Sequence, residues 1–444
     1  MTLNGPNPDV YARRRARALD RLRENNALLL LPVVAPAVYS NDVHYAYRTS
    51  TNIRYLCGFE EPAALILSGC GVEDGLTLLV QPRDPDAETW TGRRAGVEGA
   101  LSEYRADQAY TVDQLHTVID RHLAGASTLY YAGGLDPAAD QRVLDRIHAV
   151  NATRPRRGGE PIAVIDAGAV LDEMRIVKED EEIELMRAAC ELSAQAHLDL
   201  MKSARSGMYE YQVEAMLEHA FRNGGCTGPA YGTIAAAGAN ATVLHYTRND
   251  RCLENDDLLL VDAGGEYGGY CADITRTLPV ATTFSSAQAE LYDIVLAAQK
   301  AAIEAIGPGT THEDVHGVAV RVLVQGMLDV GLLEGDADEC IEAERYKPYY
   351  MHGTSHWLGM DVHDVGSYRS GSGSRTLETG MILTVEPGLY VSETSDAPEK
   401  YRGIGIRIED DVLVTGSGFD VLTSGAPKER DEIETLRGAA NAAG

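Results

Sequence analysis

Positive charge is scarce in this sequence. Against 67 Asp and Glu there are 39 Lys and Arg, leaving a net charge of −28 over 444 residues. Nucleic acids and anionic membranes are polyanions, so this balance disfavours both as partners and suits a soluble enzyme. Cysteine is also sparse and unpaired in pattern: seven residues stand singly at 57, 70, 190, 226, 252, 271 and 340, with no Cys-x-x-Cys. That argues against a disulfide framework or a zinc knuckle and makes a reducing compartment the default. Long apolar runs are missing too, none approaching the ~20 residues needed to span a bilayer. Arg13–Arg15 ahead of residues 27–37 imitate a secretory leader. Asp20, Glu24, Pro32 and Pro36 fit a helix followed by a buried strand better. The expected location is cytoplasmic.

What is present describes an ordinary globular chain, 44% hydrophobic and 24% charged, long enough for two or three domains. Residues 10–25 carry apolar residues at helical spacing. Short apolar runs at 27–34, 64–68, 76–80, 128–132 and 162–165 alternate with helical patterns at 112–123 and 142–149, predicting an α/β domain with buried strands over 1–175. A second domain, 176–444, opens with acids suited to a helix N-terminus. Its helices are expected at about 178–204 and 210–222, then at 285–306 behind a Ser285/Gln288 capping box, and at 313–330. Each helix pair leads into a Gly-rich, His-bearing region, one ending at Leu244-His245-Tyr246 and the other spanning 349–364. This architecture predicts an internal duplication with a shared site.

The segment His352-Gly-Thr-Ser-His356-Trp-Leu-Gly-Met-Asp-Val-His363 places three of the twelve histidines within twelve residues. Gly353 and Gly359 oppose a helix, whereas Trp357 and Val362 favour extended chain, so 349–364 reads as strand–turn–strand. Carboxylates follow apolar runs at Asp262, at Asp273 beyond four glycines, and at Glu386. An acid at the end of such a run needs a partner, although each alone could serve as a cap. In Gly403-Ile-Gly-Ile-Arg407-Ile-Glu409 the isoleucines alternate with Gly, Arg407 and Glu409. Read alone, this is a half-exposed strand with a surface ion pair. Read together, four carboxylates and an imidazole would neutralise two divalent cations, with Mn²⁺ or Mg²⁺ suited to oxygen ligands and Mn²⁺, Co²⁺ or Zn²⁺ to the added imidazole. His312-Glu-Asp-Val-His316 matches the zinc-protease pattern. It sits just after Gly-Pro-Gly, where the acids serve a helix start, and its histidines are expected to be dispensable.

The ordered set Asp262, Asp273, His356, Glu386, Glu409, spaced by 11, 83, 30 and 23 residues, resembles the ligand signature of the pita-bread metallopeptidases. The proline-specific aminopeptidase P branch matches best, through 352–364, Val385-Glu-Pro-Gly-Leu-Tyr390 and 405–410. The resemblance implies a C-terminal duplicated pita-bread catalytic domain behind an N-terminal α/β domain for assembly and site closure. It implies two divalent metal ions, foremost Mn²⁺, with Asp262 on one, His356 and Glu386 on the other, and Asp273 and Glu409 bridging. A bridging hydroxide would attack the carbonyl before proline. Glu386 would also handle protons. His245, His352 and His363 would contact substrate, Arg407 would orient Asp262, and Tyr390 would join that network. Trp90 would reach a neighbouring subunit's site in a homo-oligomer, a dimer or tetramer, with a core aromatic as the alternative reading. The implied substrates are peptides with N-terminal Xaa-Pro. Prolidase, cleaving only Xaa-Pro dipeptides, and a catalytically silent binding protein on the same fold are the alternatives.

Overall fold

The computed structural model describes residues 6–157 and 159–442. The chain divides between Met174 and Arg175 into two compact units. In the first, the apolar runs form a mixed six-stranded sheet ordered Gln108–Thr111, Gly75–Val80, Ala63–Ser68, Ala27–Leu31, Thr128–Tyr131 and Ala163–Asp166. Strands Gly75–Val80, Ala63–Ser68 and Ala27–Leu31 are buried along their whole length, as continuous Leu, Ile and Val runs require. Two apolar runs depart from the expectation of buried strands: Thr128–Tyr131 is buried only at alternate residues, and Ala163–Asp166, at the sheet edge, is exposed throughout. Helices Pro8–Glu24, Leu115–Gly125 and Pro137–Asn151 accompany the sheet.

The second unit repeats one plan. Helices Asp180–Ser203 and Glu210–Asn223 accompany the sheet Ile234–Ala237, Leu258–Asp262, Thr275–Pro279. Helices Ser286–Glu304 and His312–Asp329 accompany the sheet Ile382–Val385, Asp410–Thr415, Gly418–Val421. The capping box of Ser285 with Gln288 is formed. The two halves share a core in which Phe221, Leu259 and Val261 join Leu291, Leu323, Leu389 and Ile406. No helix among the described residues is long and apolar enough to cross a membrane.

Residues 349–364 are not strand–turn–strand. Only 354–358 run extended, antiparallel to Ile382–Val385: the N–H groups of Glu386 and Thr384 donate to the carbonyls of Thr354 and His356, and that of Leu358 donates to Ile382. The remainder is turn and irregular chain. Segment 244–246 is likewise irregular.

Candidate metal centre

Two hairpins carry the acids to one place. Leu258–Asp262 pairs with Thr275–Pro279 in a register that sets Asp262 opposite Thr275, two residues beyond Asp273. Gly264 passes against the Ala272 carbonyl so closely that any Cβ there would collide with it, which is how the hairpin tightens enough to bring both aspartates to one end. In the second half Val385 faces Asp410, so Glu386 and Glu409 leave that pair at the same end. Strand Ile404–Arg407, paired with Gly388–Val391, continues to Glu409, whose N–H donates to the Thr275 carbonyl.

Asp273, His356 and Glu409 each offer a ligand atom, all within 4.8 Å of one another. Asp262 and Glu386 flank them. Arg407, 4% exposed, donates to Asp262 Oδ2 at 2.5 Å, to the Tyr390 hydroxyl at 3.0 Å and to Thr275 Oγ1 at 3.1 Å. It is therefore an interior organiser, not half of a surface ion pair with Glu409. Thr275 in turn donates to Glu409 Oε2 at 2.6 Å. Behind the cluster, Asp411 Oδ2 accepts the Asp273 N–H at 2.9 Å and the Cys190 thiol at 3.3 Å.

His356 donates from Nδ1 to the Trp357 carbonyl at 3.0 Å. This leaves Nε2 free to face Asp273 Oδ2 at 3.5 Å and Glu386 Oε1 at 3.7 Å. His352 donates from Nδ1 to the Gly353 carbonyl at 2.7 Å and accepts at Nε2 from the Tyr390 hydroxyl at 2.8 Å. The His363 ring stands edge-on to His356 at 4.4 Å. A cavity of about 440 Å³ is lined by all five acids and histidines of the ordered set, by His245, His352, His363 and Arg407, and by apolar Ile234, Leu244 and Val362.

Two expected residues lie outside the cavity lining. Tyr390 acts from behind through His352 and Arg407. Trp90 sits on helix Pro85–Thr91 in the first unit and is 89% exposed, which rules out the core-aromatic reading. The pattern histidines His312 and His316 also lie outside the lining, on helix His312–Asp329 behind Thr311 as N-cap. Tyr231 was not anticipated from sequence. Its hydroxyl lies 2.6 Å from Asp262 Oδ1 and 2.5 Å from Asp273 Oδ1. Thr275 and Asp411 were missed as well. None of the three belongs to a local pattern that marks it.

Burial, reinforced by the neighbouring carboxylates, raises the pKa of Asp273 and Glu409. Burial pushes Glu386 up to about 7, against the pull of His356 and Arg407. His356 loses charge to burial, yet Asp273 and Glu386 hold it up at about 9. Carboxylates crowded this way share protons or hold cations. Four oxygen donors plus an imidazole whose tautomer is fixed by a backbone carbonyl fit divalent cations.

Comparison with known proteins bears on the same residues. A family model for metallopeptidase family M24 matches residues 184–416, and one for the aminopeptidase P N-terminal domain matches 11–130. The Xaa-Pro aminopeptidase of Haemophilus influenzae is 41% identical over 429 residues, 96% of this chain and 97% of the relative. The solved structure of Pseudomonas aeruginosa aminopeptidase PepP superposes with a TM-score of 0.95 at 42% identity, covering 99% of this chain and all of that one. Zinc-substituted Escherichia coli aminopeptidase P in complex with product gives 0.93 at 39% identity, over 98% of this chain and 99% of that one. The chain belongs to metallopeptidase family M24, in the branch that carries an aminopeptidase P N-terminal domain ahead of the catalytic one.

Proposed function

We propose that this protein is a metal-dependent aminopeptidase that releases the N-terminal residue from peptides with proline at the second position. The observation that carries this reading is the convergence of Asp262, Asp273, His356, Glu386 and Glu409 on one cavity that also presents three further histidines. Asp262 would hold one divalent ion, His356 and Glu386 the other, and Asp273 and Glu409 both. Such ions supply an activated water and a sink for negative charge at the scissile carbonyl. Mn²⁺ suits the four-carboxylate, one-imidazole donor set.

The chain's own groups do the rest. His245 and His363, exposed at the cavity mouth, would donate to the scissile carbonyl and the leaving nitrogen. The line from Arg407 through the Tyr390 hydroxyl to His352 fixes the His352 ring against the wall, where it would face the proline. Glu386 would carry the proton to the leaving nitrogen. Apolar Ile234, Leu244 and Val362 would exclude water around the substrate.

We further assign the first unit, residues 1–174, to assembly and site closure in a cytoplasmic dimer or tetramer. Exposed Trp90, with Tyr39 and Tyr45 at 66% and 57% exposure, offers aromatic surface for a second copy. The deciding experiment compares Xaa-Pro with Xaa-Pro-Yaa peptides in the presence of Mn²⁺. Hydrolysis of the longer peptides at the Xaa-Pro bond is expected; hydrolysis confined to dipeptides would make the protein a prolidase. Binding without any turnover would make it a silent member of the fold.

A further inference from the structure

The helix His312–Asp329 carries the one motif that the proposed chemistry leaves over. Its two histidines, one turn apart, both aim at the segment that delivers His356. His312 Nε2 donates to the Ser355 carbonyl at 3.0 Å, and His316 Nδ1 lies 2.8 Å from Thr354 Oγ1. That hydroxyl is also 2.7 Å from the Tyr350 hydroxyl.

The bond from His312 acts on a peptide unit that the backbone pairing leaves to side chains. Segment 354–358 pairs with Ile382–Val385 through the N–H groups of Leu358, Thr384 and Glu386, and these bonds engage neither the Ser355 carbonyl nor the His356 N–H. The peptide unit joining Ser355 to His356 is held at both ends by side chains: His312 at its carbonyl, and Thr384 Oγ1 accepting its N–H at 3.1 Å. Rotating that unit swings the Cα–Cβ bond of His356 and carries Nε2 away from Asp273 and Glu386. The His312 ring is itself braced edge-on by Tyr368 at 4.7 Å.

We infer that His312 and His316 are positioning residues that fix the His356 imidazole in the metal centre through Ser355 and Thr354. This inference rests on the reading of His356 as a ligand. On this inference the sequence pattern that resembles a zinc-binding helix holds the backbone beside the ligand, and its histidines are not dispensable as the sequence reading expects. An outer group that orients a ligand typically contributes 10–100-fold in metal affinity or activity.

The test separates hydrogen bonding from packing. His312→Gln with His316→Asn keeps a donor near each bonding nitrogen and removes the rings. His312→Phe with His316→Phe keeps the rings and removes the nitrogens. Mn²⁺ is titrated calorimetrically into each metal-free full-length variant, and kcat and KM are measured on an Xaa-Pro-Yaa peptide. In the Phe pair, affinity for one of the two ions should fall roughly 10–100-fold, with kcat falling more than KM rises. The Gln/Asn pair should stay within about threefold of wild type on the same scale. Wild-type affinity in the Phe pair, or a tenfold loss in the Gln/Asn pair, overturns the inference; the second arm decides it should the Phe pair not fold. His356→Ala is the control. If it binds two Mn²⁺ ions normally, the ligand assignment itself is wrong. If it loses one ion while the Phe pair loses none, only the positioning role fails.

Discussion

His356 and His363 are seven residues apart and their rings stand 4.4 Å from each other, yet their surroundings assign them different work. His356 has its Nδ1 committed to a backbone carbonyl and its Nε2 turned toward two buried carboxylates. His363 lies at the exposed rim, and burial together with the neighbouring His356 lowers its pKa, favouring the neutral ring. His356→Ala should therefore bind one metal ion in place of two. His363→Ala should keep both and lose roughly 10²–10³ in kcat/KM, the usual effect of removing a donor to a developing oxyanion. Metal analysis of the two variants beside their kinetics checks this, and a reversed pattern would place the ligand at the wrong end of the loop. The four acids and one histidine of the ordered set were legible in sequence because Asp262 and Glu386 close apolar runs, Asp273 follows a glycine-rich turn, Glu409 ends an alternating strand and His356 sits in a histidine cluster. Tyr231 was not legible, since it meets Asp262 from thirty-one residues away and its own neighbours mark it only as part of a Gly-rich turn.

Among the elements, the helices of both halves were readable from period and caps, since each of their hydrogen bonds is local. The segment 349–364 was not. Its β-forming residues predicted two strands, but after Leu358 the backbone folds back on itself, Asp364 donating to the Trp357 carbonyl. Asp364 is then locked between Lys178 at 3.1 Å and Arg175 at 2.5 Å. Those long-range ion pairs override strand propensity. In strand Ile404–Arg407 the alternation was legible, but not what the glycine does: a Cβ on Gly405 would strike the carbonyl of Ala241, so the glycine admits a neighbouring backbone. Gly405→Ala should cost roughly 1–3 kcal/mol, as overpacking does. Gly416→Ala meets nothing within 4 Å and should be far milder. Denaturant titration of the two variants distinguishes them. Helix Asp180–Ser203 offers a pH test. His197, 1% exposed, donates from Nε2 to the Ala263 carbonyl at 2.8 Å, and burial lowers its pKa to about 4. With the folded value below the unfolded 6.5, the unfolded chain binds the extra proton between pH 6.5 and 4, and stability falls as pH falls through that window. The loss should approach roughly 3 kcal/mol. His197→Gln keeps a donor to Ala263 without the titration. Its stability relative to wild type should rise by that amount from pH 7 to pH 4; a constant difference across the range would show that His197 is not the proton-linked group.

For the whole molecule, each unit has an apolar core of its own among the described residues, and the acids of the centre lie in the second. The net charge of −28 adds a general self-repulsion, but the concentrated part of it is the crowd of buried carboxylates around Asp273 and Glu409. Cations that bind there bind the folded second unit alone, so they stabilise it by mass action, about 2.7 kcal/mol per ion at a hundred times the dissociation constant. Removing metal with a chelator should therefore loosen one unit and spare the other. Hydrogen exchange followed by mass spectrometry resolves this along the chain. Peptides covering Leu258–Asp262, Thr275–Pro279 and Ile404–Arg407 should exchange faster after chelation and recover when Mn²⁺ is restored. Those covering Ala27–Leu31, Ala63–Ser68 and Gly75–Val80 should be unchanged, because their protection comes from a leucine-rich sheet that contains none of the ligands. Equal acceleration in both sets would mean that the metal centre sets the stability of the chain as a whole and that the two cores do not open independently.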